Sequence, residues 1–207
     1  MRHAVRHLKT SDPVLAGIIE RIGPLRMTYR QPAFEAMVRS IVFQQLNGKA
    51  AATIYQRLVD AAGGTVTPAS ILALSEQRLR ACGLSRQKLS YVRDLAARTA
   101  SGEIDFARLP ELSDEEVIEH LTRVKGIGVW SAQMFLIFAL RRPNVMPTAD
   151  YGVRAAIQRA YRKRKLPNPK DILKIARAWH PYCSAACWYL WRFAELPVEK
   201  RNGKARK

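Results

Sequence analysis

Apolar residues recur at helical spacing along most of this chain. Between residues 32 and 64 they follow that spacing, break at the polar segment 44–48, resume, and stop at Gly63 and Gly64. The first half of this pattern consists of Phe34, Met37, Val38, Ile41 and Val42. No stretch alternates apolar and polar residues for long enough to predict a strand. The sequence therefore predicts an all-α fold, with two helices or one interrupted helix in this segment.

Start and stop signals divide the rest of the chain into helices. Ser113 and Glu116 form a capping box, which predicts a helix from about Asp114 to Thr122. After a glycine-containing turn, the next helix should begin at residue 129 or 130 and run through residue 140. Further helices are predicted over about 151–164, up to about 178, and over 184–195. We therefore expect a series of helices joined by tight turns.

The chain is strongly basic. Its 207 residues contain 35 Lys and Arg against 17 Asp and Glu, which gives a formal net charge of +18 and a pI near 10.5. Part of this charge lies in the run 162–165 and in residues 199–207, which we expect to form a basic disordered tail. The remaining excess still favours a polyanionic partner, with nucleic acid ahead of an anionic membrane.

Membrane, secretion and metal signals are weak. No segment reaches the length of a transmembrane span, and the N-terminus lacks the apolar core of a signal peptide. We therefore expect the protein to stay in the reducing cytoplasm or nucleoid. The three cysteines are too few for a disulfide framework or a four-cysteine iron–sulfur cluster. His180, Cys183 and Cys187 can share one helix face, but no fourth zinc ligand is evident. We therefore favour a packed apolar face over a metal site.

The segment VKGIG is a candidate phosphate-binding turn. It comprises Val124, Lys125, Gly126, Ile127 and Gly128, between a capped helix and an apolar one. Glycines leave backbone N–H groups uncovered, and the N-terminus of the following helix attracts anions. An ordinary corner between two helices is the alternative. The basic surroundings favour phosphate binding, with Arg123 and the Lys125 side chain as further contacts.

Several segments together resemble the helix-hairpin-helix (HhH-GPD) DNA glycosylase superfamily. They are LTRVKGIGVWSAQMF and MPTADYGV, and also SIVFQQLNGKAAATI, CGLSRQKLSYVRDLA and WHPYCSAACWYLWRF, which resemble the bacterial 3-methyladenine DNA glycosylase II family. The resemblance implies two helical lobes with an active-site cleft between them. It assigns 1–34 and 141–198 to one lobe, and 35–140, with the helix-hairpin-helix at 114–140, to the other. The length fits a compact form without an N-terminal β-rich domain.

The resemblance implies that Asp150 is the catalytic residue. Cleavage of an N-glycosidic bond develops positive charge on the sugar, and a carboxylate can stabilise that charge or orient water. Asp150 also precedes a helix, where a capping role is the alternative, and Thr148 can compete for that cap. The two roles are compatible.

The chemistry of the leaving group narrows the class of base that can be the substrate. A purine alkylated at N3 or N7 is cationic and departs with little protonation, which suits a site without an evident second carboxylate. In lyase-competent relatives a nucleophilic lysine stands where this chain has Trp130. The resemblance therefore implies hydrolysis by water without abasic-site lyase activity.

The resemblance also assigns a base pocket and a wedge. Trp130 and Trp191 match aromatic positions that stack on a flipped base, and Met134 stands where a third aromatic residue is expected. Core packing is the alternative for both tryptophans. Gln45 matches the family's wedge, which fills the gap left in the duplex, and Leu46 is its neighbour; a solvated or capping glutamine is the alternative.

These observations predict a monofunctional DNA N-glycosylase that excises alkylated purines from duplex DNA in base excision repair. The alternatives are a non-catalytic helix-hairpin-helix DNA-binding module and a glycosylase for deaminated or oxidised bases. The proposed chemistry requires no organic cofactor and no metal in the free protein, although the hairpin carbonyls can hold a monovalent cation when DNA is bound. We expect a cytoplasmic, nucleoid-associated monomer.

Overall fold

The computed structural model describes residues 1–46 and 48–197, which contain twelve α-helices. No strand occurs in these residues, and the predicted all-α fold is confirmed. None of the described helices is long and apolar enough to cross a bilayer. In chain order the helices are α1 Arg2–Ser11, α2 Pro13–Ile22, α3 Phe34–Phe43, α4 Gly48–Ala61, α5 Pro68–Ala73, α6 Glu76–Ala81, α7 Arg86–Ala100, α8 Asp114–Thr122, α9 Val129–Phe138, α10 Tyr151–Ala160, α11 Pro169–Ala176 and α12 Cys183–Glu195.

The predicted capping box sets the start of α8. Ser113 Oγ accepts the Glu116 N–H at 3.2 Å, and Glu116 Oε2 accepts the Ser113 N–H at 2.7 Å. These two bonds satisfy amides that a helix N-terminus otherwise leaves unpaired. Helix α8 accordingly has the bounds that the sequence predicts.

Two predicted helices end earlier than expected. The helix predicted over 151–164 ends at Ala160, because Arg162 adopts the left-handed region with a φ of 52°. The helix predicted to run through Leu140 ends at Phe138, and Arg141 is also left-handed, with a φ of 57°. In both cases a residue that is not glycine breaks the helix, which sequence signals do not predict.

The chain divides into two compact units. One consists of Met1–Met27 together with the chain from Pro143 onward, and the other is Thr28–Arg142. The predicted basic tail at 199–207 lies outside the described residues.

In the first unit, α12 packs against α2 and α10, and α1 packs against α2. Asp12, between α1 and α2, is only 6% exposed and organises the polar contacts of this core. Its Oδ1 accepts the N–H groups of Val14 and Leu15 at 2.9 and 3.0 Å. Its Oδ2 accepts the Trp179 Nε1–H at 2.8 Å and the Tyr161 hydroxyl. Burial and this bond to Asp12 raise the pKa of Tyr161, which therefore stays a protonated donor.

In the second unit, α3 packs against α4, α7 and α9, while α8 packs against α9. Phe106 stacks edge-on between Phe34 and Phe135, with ring centroids 6.2 and 5.9 Å apart. The buried face of α3, formed by the apolar positions identified in the sequence, lies in this core. This core packs α7 and α9 against α3.

Candidate functional site

The hairpin between α8 and α9 takes its shape from Gly126. This residue has a φ of 76°, a left-handed conformation that glycine adopts without steric cost. Gly128 is the N-cap of α9 with extended backbone, at a φ of −96° and a ψ of 175°, which other residues also adopt. The turn therefore needs the conformational freedom of glycine at only one of its two glycines.

The hairpin amides divide into bonded and available donors. The Ile127 N–H donates to the Val124 carbonyl at 3.1 Å, and the Lys125 N–H donates to Asp94 Oδ2 at 2.9 Å. Within residues 1–46 and 48–197, the amides of Gly126 and Gly128 have no hydrogen-bond acceptor. Together with the N-terminus of α9, these two amides can bind one phosphate.

The cationic side chains of the hairpin differ in their contacts. Arg123 Nη2 lies 2.7 Å from Glu119 Oε1, in a pair that is exposed on both sides. The Lys125 side chain is 65% exposed, and its Nζ lies 3.9 Å from Asp94 Oδ1. Such exposed pairs are weak and leave both cations able to contact a phosphate.

Helix α7 contacts the hairpin through Tyr91 and Asp94. The Tyr91 ring packs so closely on Gly126 that a Cβ atom there would lie 2.1 Å from its Cδ2 atom. Partial burial alone would raise the pKa of Asp94, but the Lys125 N–H and Arg98 outweigh it and hold the pKa below its ordinary value. Asp94 is therefore an ionised anchor for the hairpin backbone.

A short turn follows α3, and we call Gln44, Gln45 and Leu46 the wedge turn. Gln45 has a φ of 56°, and Leu46 is 40% exposed. Lys88 Nζ donates to the carbonyls of Val42 and Gln44 at 2.7 and 2.6 Å. The two residues predicted as the wedge thus lie on an exposed, non-helical turn that is fixed from α7.

A cavity of about 550 Å³ lies in the second unit. Trp130 and Gln45 both line it, together with Gly126 of the hairpin. Its other walls include the rings of Phe43 and Tyr91. Trp130 is 44% exposed, which argues against a purely core-packing role. The cavity therefore brings one predicted pocket residue, one predicted wedge residue and the hairpin together.

Met134, one turn after Trp130 on α9, does not line that cavity. It lines a separate cavity of about 60 Å³ beside Phe135 and Phe138. Arg30 and Ser40 line both cavities. Burial, together with the neighbouring charge of Arg39, lowers the pKa of Arg30.

Asp150 caps helix α10 in the first unit. It is 8% exposed, and its Oδ1 accepts the Val153 N–H at 2.7 Å and the Trp191 Nε1–H at 2.9 Å. A Cβ atom on Gly152 would lie 3.1 Å from Trp191 Cδ1 and 3.2 Å from Asp150 Oδ1. The absence of a side chain at Gly152 thus lets the indole approach the carboxylate. Two of the predicted residues, Asp150 and Trp191, are in direct contact.

The cysteines weighed as zinc ligands lie in the core of the first unit. Burial raises the pKa of Cys183 to about 11 and, together with the nearby Cys183 and Asp150, raises the pKa of Cys187 well above its ordinary value. His180 Nδ1 lies 2.9 Å from Asn144 Nδ2. Among the described residues, no group of three His, Cys, Asp or Glu side chains is arranged to hold a metal ion. Metal ligation requires thiolates, which this environment disfavours.

A protein-family model matches most of the chain, including the hairpin. Residues 38–181 match the family model described as HhH-GPD superfamily base excision DNA repair protein. The chain belongs to this superfamily. The predicted membership of the HhH-GPD superfamily is therefore confirmed.

Individual relatives agree with the HhH-GPD assignment. DNA-3-methyladenine glycosylase 1 of Schizosaccharomyces pombe is 35% identical, over 92% of this chain and 86% of the relative. The structure of S. pombe 3-methyladenine DNA glycosylase (Mag1) in complex with abasic DNA matches with a TM-score of 0.83 at 35% identity, over 94% of this chain and 97% of the other. A DNA-3-methyladenine glycosidase from Bacillus halodurans matches with a TM-score of 0.82 at 35% identity, over 93% and 89%.

Sequence reasoning missed the residues that support this HhH-GPD site. Lys88, Tyr91 and Asp94 recur at helical spacing in α7, but nothing in the sequence indicates that their side chains reach a turn more than 30 residues away. Gly152 also escaped notice, because a glycine inside a helix usually only weakens it. Its close approach to Trp191 is a property of the packed structure.

Proposed function

We propose that this chain is a DNA N-glycosylase that flips alkylated purines out of duplex DNA and hydrolyses their glycosidic bonds, which is the first step of base excision repair. The similar proteins are named for 3-methyladenine excision, and one similar structure contains abasic DNA, which is the product of such a reaction. The net charge of +18 suits a DNA substrate.

The buried carboxylate of Asp150 is the observation that carries this proposal. Two N–H donors fix Oδ1, so the anion is oriented before the substrate arrives. A fixed anion of low exposure stabilises an oxocarbenium-like sugar more strongly than a solvated one, because little reorganisation is needed. Capping of α10 and catalysis are therefore two uses of one side chain.

The amines near the cavity support hydrolysis without lyase activity. Trp130 occupies the position at which lyase-competent relatives carry a nucleophilic lysine. Lys88 also lines the cavity, but its Nζ donates to two backbone carbonyls. Two donor bonds to carbonyls favour the protonated ammonium form, which has no lone pair to attack the sugar. Water is therefore the nucleophile.

The aromatic lining of the cavity suits a flat, cationic base. The ring of Trp130 can stack on a flipped purine, and its π face attracts the positive charge of an N3- or N7-alkylated base. In the first unit, Trp191 orients Asp150 through its Nε1–H. Met134 lines the smaller neighbouring cavity, where its flexible side chain gives a more adaptable wall than a third ring, which favours a range of alkyl adducts over a single one.

The hairpin and the wedge turn serve the DNA backbone and the base stack. The amides of Gly126 and Gly128 bind a phosphate, with Arg123 and Lys125 on its flanks. Gln45 and Leu46 fill the gap that the extruded base leaves. The hairpin carbonyls hold a monovalent cation once DNA is bound. The protein acts as a monomer, in the compartment that contains the chromosome.

The test is release of free base from a duplex containing one 7-methylguanine. The wild-type protein should release the base and leave an abasic site, while Asp150→Asn should lose at least about a hundredfold in single-turnover rate. Asparagine keeps an oxygen for the Val153 N–H, so the fold and the affinity for DNA should persist. Normal excision by Asp150→Asn would refute the proposal.

Matched substrates separate the alternative functions. A duplex with hypoxanthine and one with 8-oxoguanine test the deaminated and oxidised classes. Tight binding to all duplexes without release of any base would instead identify a DNA-binding module.

A further inference from the structure

Helix α7 contacts both DNA-binding elements of the second unit from one face. Lys88, Tyr91 and Asp94 are three residues apart and so lie along the same side of the helix. Lys88 bonds to the wedge turn, whereas Tyr91 and Asp94 contact the hairpin. One rigid helix therefore determines the positions of two elements that are about 80 residues apart in the sequence.

Lys88 holds the wedge turn at the point where α3 ends. The carbonyls at a helix C-terminus lack partners within the helix, and a cation there also interacts favourably with the helix dipole. Lys88 Nζ satisfies the carbonyls of Val42 and Gln44, on either side of the last residue of α3. The next residue, Gln45, has a left-handed backbone, with a φ of 56°.

A direct bond joins the wedge turn to the hairpin. The Gln44 side chain donates from Nε2 to the Gly126 carbonyl at 3.0 Å. The same Gln44 supplies the carbonyl that accepts from Lys88 at 2.6 Å. Lys88, Gln44 and Gly126 therefore form a continuous chain of hydrogen bonds from α7 through the wedge turn to the hairpin.

We propose that Lys88 is a positioning residue for base extrusion, which sets the depth and register of Gln45 and Leu46 relative to the phosphate bound by the hairpin. This inference rests on the proposed glycosylase function. The hairpin fixes one point of the DNA backbone, and the wedge must enter the base stack at a set distance from that point. A loosened turn weakens insertion without removing any phosphate contact.

The ammonium group of Lys88 points toward backbone carbonyls of the protein. Burial lowers the pKa of Lys88, and both of its bonds are to protein carbonyls. The residue should therefore add little to the general attraction between this basic protein and DNA. It should instead act on the extrusion step.

The experiment measures extrusion and binding separately. A duplex carries one 7-methylguanine beside 2-aminopurine, whose fluorescence rises when its neighbour leaves the stack. Lys88→Met should reduce both the stopped-flow fluorescence rise and the single-turnover excision rate by about ten- to a hundredfold, because small displacements of positioning elements carry penalties of this size. Affinity for undamaged duplex should change less than about twofold.

Two variants act as controls. Lys88→Arg retains a cation that can reach the two carbonyls and should recover much of the extrusion signal. Lys174→Met removes one exposed charge from α11 in the other unit and should leave both signals unchanged.

The outcomes are distinguishable. Wild-type extrusion and excision by a folded Lys88→Met would overturn the inference, and so would a parallel loss of affinity for undamaged duplex, which would make Lys88 a phosphate contact. If Lys88→Met does not fold, Gln44→Leu is measured instead. It removes the bond to the Gly126 carbonyl, and the same outcomes support or overturn the inference. A wild-type protein that releases no base would refute the proposed function instead.

Discussion

The Nε1–H of Trp191 donates a 2.9 Å hydrogen bond to Oδ1 of Asp150, the same oxygen that accepts the Val153 N–H. The indole thus has a polar contact with the proposed catalytic carboxylate, beyond the stacking role that a family resemblance assigns to it. Charge-assisted bonds of this kind are stronger than neutral ones and restrict the orientation of the anion.

Trp191→Phe should slow excision while keeping an aromatic ring. The change removes the Nε1–H donor, and bonds to charged groups contribute about 1.5–3 kcal/mol, so the single-turnover rate should fall by about ten- to a hundredfold. Trp188→Phe, on the same helix, is the matched control and should retain the rate. If Trp191→Phe is as active as the wild type, the indole N–H has no part in orienting Asp150.

The two hairpin glycines should differ in their tolerance of alanine. Gly126→Ala places a Cβ atom 2.1 Å from the Tyr91 ring at a positive φ, and should destabilise the protein by about 2–4 kcal/mol and abolish tight DNA binding. Gly128→Ala meets open space and extended backbone, so the fold should persist. Thermal unfolding and fluorescence anisotropy measure the two effects. Equal tolerance at both positions would contradict the packing of Tyr91 on the turn.

Asp12→Ala should strongly destabilise the first unit. It leaves the buried Trp179 N–H and Tyr161 hydroxyl without their acceptor and also removes the cap of α2, at a combined loss of about 3–5 kcal/mol. Asn168→Ala removes only an exposed cap, with an expected loss of about 1 kcal/mol. Denaturant unfolding compares them, and similar losses would show that Asp12 is no more than a cap.

Asp94→Asn should show a pH-dependent loss of stability. The folded-state pKa of Asp94 lies below its ordinary value, so the charged form stabilises the fold above the unfolded pKa of about 3.9, and this stabilisation is lost as the pH falls through the folded value. The variant should be about 1 kcal/mol less stable at pH 7, and the difference should shrink below about pH 4. Urea unfolding across this range is the measurement. A difference that is constant with pH would exclude the charge as its cause.

Borohydride should trap no covalent complex between this protein and DNA with an abasic site. Trapping requires an amine that forms a Schiff base, and Lys88 is held by two carbonyls. A lyase-competent glycosylase on the same duplex is the positive control, and denaturing gel electrophoresis reports the complex. A trapped adduct that disappears in Lys88→Met would identify Lys88 as a nucleophile and refute monofunctional hydrolysis.

The sequence predicts the helices well where local signals set them. The Ser113–Glu116 box fixes the start of α8 because all of its atoms lie within one turn. Boundaries were wrong where Arg141 and Arg162 adopt left-handed backbone, since residues other than glycine give no local signal for it. Helices α1 and α2 were not predicted, although Asp12 and Pro13 form a recognisable helix start.

The contacts that build the candidate site were beyond prediction from sequence. Lys88 reaches a carbonyl 44 residues away, and Asp12 accepts from Trp179 at a separation of 167 residues. Such pairs depend on how the helices pack, which periodicity does not specify. Motif order proposes Asp150, Trp130 and the hairpin as site residues, and leaves open how each is held.

The absence of a side chain at Gly152 constrains attempts to change the lesion specificity of this protein. A mutant library around this site would ordinarily randomise every residue near the proposed catalytic carboxylate, Asp150. Here even a methyl group at position 152 would press on both the Trp191 ring and the Asp150 carboxylate. Selections for new substrates should therefore keep this glycine constant and vary the cavity walls at Met134, Arg30 and Ser40 instead.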